Sequence, residues 1–89
     1  MTTQYDTSIG EVKVDAELDT SGLLCPLPVY KASIVLGQLS KGQVLHVIST
    51  DPGSLEDIPA LARQLGDTLR GVERLEDRQL FWIEKGDRP

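Results

Sequence analysis

An 89-residue chain with 39% apolar residues holds one domain and one thin core, which leaves little room for a deep substrate cavity and argues against a large self-contained enzyme. Fourteen acidic residues against nine basic ones give a formal net charge of -5, which opposes the phosphate neutralisation that dominates non-specific nucleic-acid binding. One cysteine and one histidine supply neither an internal disulfide nor a four-ligand zinc site, so the thiol is expected to be free, in a reducing compartment.

The opening MTTQYDTSIGE is polar and without periodicity, and is read as a flexible tail over 1–11 that precedes a single domain over 12–86. No basic start followed by an apolar run is present, nor any apolar stretch near the roughly 18 residues that span a bilayer. A soluble cytoplasmic protein without membrane contact is expected. From Val12 the chain alternates, with Val12, Val14, Ala16 and Leu18 against Lys13, Asp15, Glu17 and Asp19, the pattern of a half-buried strand. TSGLLC (20–25) reads as a turn leading into a helix.

Pro26 suits a first helical position, since its missing N–H has no intrahelical partner there, and this puts Cys25 at the helix cap. Val29, Ala32, Val35 or Leu36, and Leu39 recur at three- and four-residue spacing and predict an amphipathic helix ending near Lys41-Gly42. QVLHVIST (43–50) is apolar on both faces, as an interior strand should be. In DPGSLEDIPALARQLG (51–66) Leu55, Ile58, Leu61 or Ala62, and Leu65 share a helical face, with Gly66 as the stop. Pro59 admits either one helix from near Ser54 with an irregular first turn, which is preferred, or a short turn followed by a helix capped by Asp57. Two strands, about 67–75 and 79–85, close the chain as a hairpin. The order β-α-β-α-β-β predicts an α/β two-layer sandwich, a four-stranded mixed sheet with both helices on one face.

The chemistry-bearing feature is Cys25 between Gly22 and the prolines Pro26 and Pro28. A lone cysteine is commonly a small core hydrophobe, but a helix-start corner in so thin a domain favours an exposed thiol. The two prolines stiffen the corner and remove two of the first three helical N–H donors, leaving that of Leu27. Only a modest lowering of the thiol pKa is therefore expected, with Asp19 on the same sheet edge. Asp19 and Asp51 at the strand ends read as turn residues, Gly22 and Gly53 as turn glycines, and His46 as structural. Lys31 lies about 240° round the helix from Cys25, so it and Arg63 are candidates for docking contacts or plain solvation. Of Phe81 and Trp82, one should face the helices and the other the open side of the sheet, where exposure would suggest an interface.

LDTSGLLCPLPVYKA, followed by GQVLHVISTDPGSLEDIPALARQLG, resembles the TusA/SirA-like family of small sulfur carriers, whose signature is Cys-Pro-x-Pro at the start of the first helix. The likeness runs from about Leu18 to Gly86 and includes Leu18-Asp19, Gly22, Cys25-Pro26-Leu27-Pro28, Gly42, Asp51-Pro52 and Asp57-Ile58-Pro59. Leu27 stands where the best-known members have an acidic residue. The resemblance implies that Cys25 receives a sulfane sulfur as a persulfide from a cysteine desulfurase, rhodanese or other sulfurtransferase. It would then relay that sulfur to an acceptor protein in tRNA thiolation, molybdenum-cofactor supply or sulfur oxidation. It further implies a monomeric carrier rather than an autonomous enzyme, with no cofactor or metal beyond the covalently held sulfur. Asp19, Gly22, Pro26, Leu27 and Pro28 would support the site. The competing readings are a non-catalytic interaction module and a thiol redox switch.

Overall fold

The computed structural model describes residues 4–7 and 10–88. Its elements are β1 (Gln4–Thr7), β2 (Gly10–Lys13), β3 (Ala16–Thr20), α1 (Leu27–Gln38), β4 (Val44–Ser49), α2 (Ser54–Leu65), β5 (Thr68–Arg74) and β6 (Gln79–Glu84). A four-stranded sheet has the order β3-β4-β6-β5, with β3 parallel to β4 and the other neighbours antiparallel. The interior strand expected over 43–50 is β4, paired on both edges, and it is apolar on both faces because Leu45 and Val47 meet the helix-side core while Val44 packs with Trp82 on the other side.

Both helices cover one face. Ala32 and Leu36 of α1 and Ile58, Leu61 and Ala62 of α2 form one buried cluster with Leu45, Val47, Phe81 and Ile83 from the two central strands. The expected sandwich is therefore the observed one. α2 is a single helix, and its first turn is irregular: Leu55 N–H bonds Pro52 O and Glu56 N–H bonds Gly53 O at three-residue spacing. Pro59 is accommodated inside it. Gly66 closes the helix in the left-handed conformation at φ +78°, where a side chain would be strained.

Three boundaries differ from the sequence reading. Within the stretch expected to be a tail, β1 pairs antiparallel with β2, Tyr5 opposite Val12. The strand expected from Val12 is also divided, because Asp15 turns the chain: its N–H donates to Val44 O and its Oδ2 accepts from Val44 N–H. Ala16 and Leu18 stay with the helix-side core, whereas Val14 joins Val44, Trp82 and Leu80 on the other face. The third difference is at α1, which ends at Gln38 rather than near Gly42. The cause is distant in sequence. Lys85, 1% exposed, inserts its ammonium beneath the helix and donates to Leu36 O (2.7 Å) and Leu39 O (3.0 Å), satisfying carbonyls that otherwise call for another turn.

The face of the sheet away from the helices is not open at its aromatic residue. Trp82 is 0% exposed and stacks on His46, with ring centroids 4.6 Å apart, so the idea of an exposed aromatic interface there fails. His46 is structural, as expected: its Nδ1 lies 3.0 Å from Phe81 O, and burial pushes its pKa down.

Candidate functional site

The corner that carries Cys25 is built by short-range turns and pinned to the end of β4. Asp19 Oδ1 accepts from Ser21 N–H (2.9 Å) and Ser21 Oγ–H (2.6 Å), an Asx-type turn that ends β3. Gly22 follows at φ +84°, a conformation that suits glycine alone among common residues, and its N–H donates to Thr50 Oγ1 (2.8 Å). Thr20 Oγ1 donates to Ile48 O (2.6 Å). Next, the Cys25 N–H donates to Asp51 Oδ2 (2.7 Å), while Asp51 Oδ1 accepts from Gly53 N–H (3.0 Å). One carboxylate thus fixes both the thiol loop and the entry to α2.

The helix begins one residue later than expected. Pro26 occupies the cap, Cys25 sits in the turn before it, and the Cys25–Pro26 peptide is cis. The Leu27 N–H, expected to serve the sulfur, is taken by Leu24 O at 2.9 Å. Pro28 is buried against the body of the protein rather than only stiffening the corner.

Cys25 is an exposed free thiol whose Sγ donates to Asp57 Oδ2 at 3.0 Å. That bond, with slight desolvation and the negative charge of Asp57 and Asp51, raises the thiol pKa above its ordinary value. The expected lowering is overturned, and the physical reason is plain: a carboxylate stabilises the protonated thiol, while the Leu27 N–H expected to serve the sulfur is bonded to Leu24 O. Asp57 stands on the first turn of α2, where a negative charge also meets the positive end of the helix. Beside the sulfur is a groove of about 250 Å³ lined by Cys25, Pro26, Val29, Asp57, Ala60, Leu61 and Gln64.

The structure brings Gly22, Cys25, Pro26, Leu27 and Pro28 together at this corner, and it adds Asp51 and Asp57, which the sequence reading had treated as turn and cap residues. Asp19 is spent on Ser21 in the turn that starts the corner, and those bonds hold its carboxyl below the usual range; among the described residues it forms no hydrogen bond with Cys25 itself. Lys31 and Arg63 are both exposed, and neither lines the groove. Among the described residues no group of three or more His, Cys, Asp or Glu side chains is placed to hold a metal, and no helix is long and apolar enough to cross a membrane.

Residues 16–85 match the family described as Sulfurtransferase TusA. The sulfur carrier protein TusA of Allochromatium vinosum is 58% identical over 71 residues, which cover 80% of this chain and 93% of that protein. That of Pseudomonas syringae pv. syringae is 42% identical over 77 residues, covering 86% and 92%. In fold, the crystal structure of the SirA-like protein from Desulfitobacterium hafniense superposes with a TM-score of 0.71 at 24% identity, over 81% of this chain and 99% of that one.

Proposed function

This chain belongs to the TusA sulfurtransferase family, and from that premise we propose that it is a sulfur carrier in which Cys25 is loaded as a persulfide and unloaded onto a second protein. The observation that carries the reading is the exposed Cys25 at the rim of an apolar groove in a chain with no other cysteine. A carrier needs one accessible sulfur, no second thiol to discharge the persulfide as an internal disulfide, and a position that enters a partner's site.

Loading is displacement at sulfur. The Cys25 thiolate attacks the outer sulfur of a donor persulfide, a new S–S bond forms on Cys25, and the donor's S–S bond breaks. The donor thiolate leaves, taking up the proton that Cys25 gave up. Unloading repeats the exchange with the acceptor's thiol as nucleophile, so no external oxidant or reductant is consumed. Asp57 bears on the first step: while its carboxylate accepts the thiol proton in a hydrogen bond, the resting sulfur is a weak nucleophile. Suitable donors are persulfide-bearing proteins such as a cysteine desulfurase, a rhodanese or another sulfurtransferase, and the acceptor is a sulfur-relay protein.

Intact-mass measurement after incubation with a sulfane donor tests the reading. Wild type should gain one sulfur atom, and Cys25→Ser none. Gain of oxygen under peroxide without any gain of sulfur points to a redox switch, and no change under either reagent to an interaction module.

A further inference from the structure

The surroundings of Cys25 combine two features that a partner must meet at once. The first is apolar. Leu24 is 71% exposed, Leu27 43%, Tyr30 62% and Ile34 46%, and the last three, spaced three and four apart, share the outer face of α1. Leu24 is the residue immediately before Cys25. α1 contains no acidic residue, although the chain carries fourteen, so the helix itself places no carboxylate on this face. The second feature is negative. Asp57 and Asp51 both bond Cys25, one at the sulfur and one at the amide, and among the described residues neither forms an ion pair.

We propose that this surface is built for a protein whose own reactive sulfur is set in an apolar rim and flanked by a lysine or arginine, and that the incoming cation activates Cys25 by drawing Asp57 away from the thiol. The proposal rests on the carrier reading and adds the chemistry of the partner. Apolar contact along Leu24, Leu27, Tyr30 and Ile34 supplies area at the centre of the contact, where charge is normally depleted. The cation supplies selection. An anionic thiolate or persulfide nearing Cys25 is repelled by two carboxylates within bonding distance of that residue, and a neighbouring positive charge reverses the sign of the encounter. Pairing Asp57 with that cation removes the acceptor that holds the thiol proton, which is also the direction in which the raised thiol pKa relaxes. The unloaded carrier is therefore a slower nucleophile alone than on the right partner.

The test uses short peptides, each carrying one cysteine as a mixed disulfide with 2-mercaptoethanol, with Lys, Ser or Glu beside the cysteine and Leu or Ser further along. In each exchange the Cys25 sulfur forms one new disulfide and releases one thiol. Wild-type protein should react about tenfold faster with the Lys peptide than with the Glu peptide, a ratio that shrinks as salt screens the charges. Asp57→Asn should bring the ratio toward one, and Leu27→Ser with Ile34→Ser should remove a Leu-over-Ser preference while leaving the Lys-over-Glu preference. No preference for Lys in the wild type, or one that neither salt nor Asp57→Asn reduces, overturns the proposed cation. A wild type indifferent to Leu overturns the apolar rim. These rates do not depend on whether Cys25 holds a persulfide, so they are read separately from the mass test of the carrier.

Discussion

The amide of Cys25 and the carboxylate of Asp51, 26 positions apart, are joined by a 2.7 Å hydrogen bond that ties the loop before α1 to the turn before α2. Asp51→Ala frees this N–H and that of Gly53, both of which then turn to solvent. Since neither donor is left buried, stability should fall by only about 1 kcal/mol. The larger effect should be local: hydrogen exchange at the Cys25 amide should become markedly faster, while exchange in the β4 and β6 core remains slow.

Asp57→Asn should move the alkylation midpoint of Cys25 to lower pH. In the wild type the carboxylate raises the thiol pKa, so the midpoint should lie above the model-peptide value of about 8.5. Asn keeps the side-chain shape and drops the charge. The sign carries over to stability: the folded state prefers the protonated thiol, so this contribution is complete below the unfolded thiol's pKa and is lost as pH rises through the folded one. Iodoacetamide rates measured against pH check the direction. An unmoved midpoint would mean that the 3.0 Å bond does not govern the thiol.

Lys85→Met should destabilise the protein by about 2 kcal/mol or more, because two carbonyls at the end of α1 lose charge-assisted partners in a buried setting. Methionine retains most of the apolar stem, so the loss reports the hydrogen bonds rather than a cavity. Urea denaturation measures it. A change below a few tenths of a kcal/mol would show that the carbonyls find other partners.

The sandwich was legible because its signals are local. Alternation in 79–85 put Phe81 and Ile83 on one face and Trp82 on the other, and three- and four-residue spacing placed Ala32, Val35 or Leu36, Ile58, and Leu61 or Ala62 on the inward helix faces, where Ala32, Leu36, Ile58, Leu61 and Ala62 are buried. Cys25 was legible because Pro26, Pro28 and Gly22 lie beside it in sequence. What could not be read were pairings across long loops. Cys25 and Asp57 are 32 positions apart and Lys85 and Leu36 are 49 apart, and no local pattern records that those side chains meet. A lysine at an inward-facing strand position was the one available signal for the helix cap, since a charge at such a position calls for buried acceptors. The thiol pKa went the wrong way for the same reason: the helix start was visible and the carboxylate beneath it was not.

Pro28→Ala should cost about 1 kcal/mol, more than an exposed helix-start proline would, because Pro28 is fully buried and its ring packs in the body of the domain. Loading by a small sulfane donor should persist, since the sulfur's bond to Asp57 does not involve this residue. Thermal denaturation and intact mass on the same sample read the two expectations together.

At the far end of the described chain a buried carboxylate is held by a cation. Asp67 has a fully buried side chain gripped by Arg88, with Nε to Oδ1 at 3.0 Å and Nη2 to Oδ2 at 2.8 Å, and Oδ1 also accepts from the Gly86 N–H. Burial pushes this carboxyl up, but the bonds from Arg88 and Gly86 and the charges of Arg88 and Lys85 outweigh it, and its pKa lies below the ordinary value. A carboxyl lowered in the folded state contributes stability above its unfolded pKa of about 3.9 and loses that contribution as pH falls through the folded value. Arg88→Gln removes the ion pair and should cost about 1–2 kcal/mol at neutral pH, held to that range by the partial exposure of Arg88. The deficit relative to wild type should narrow as the pH drops below about 4, where the wild type loses the same interaction by protonation. Urea midpoints of both proteins from neutral pH to pH 3 distinguish this from simple loss of packing, which would leave the deficit constant.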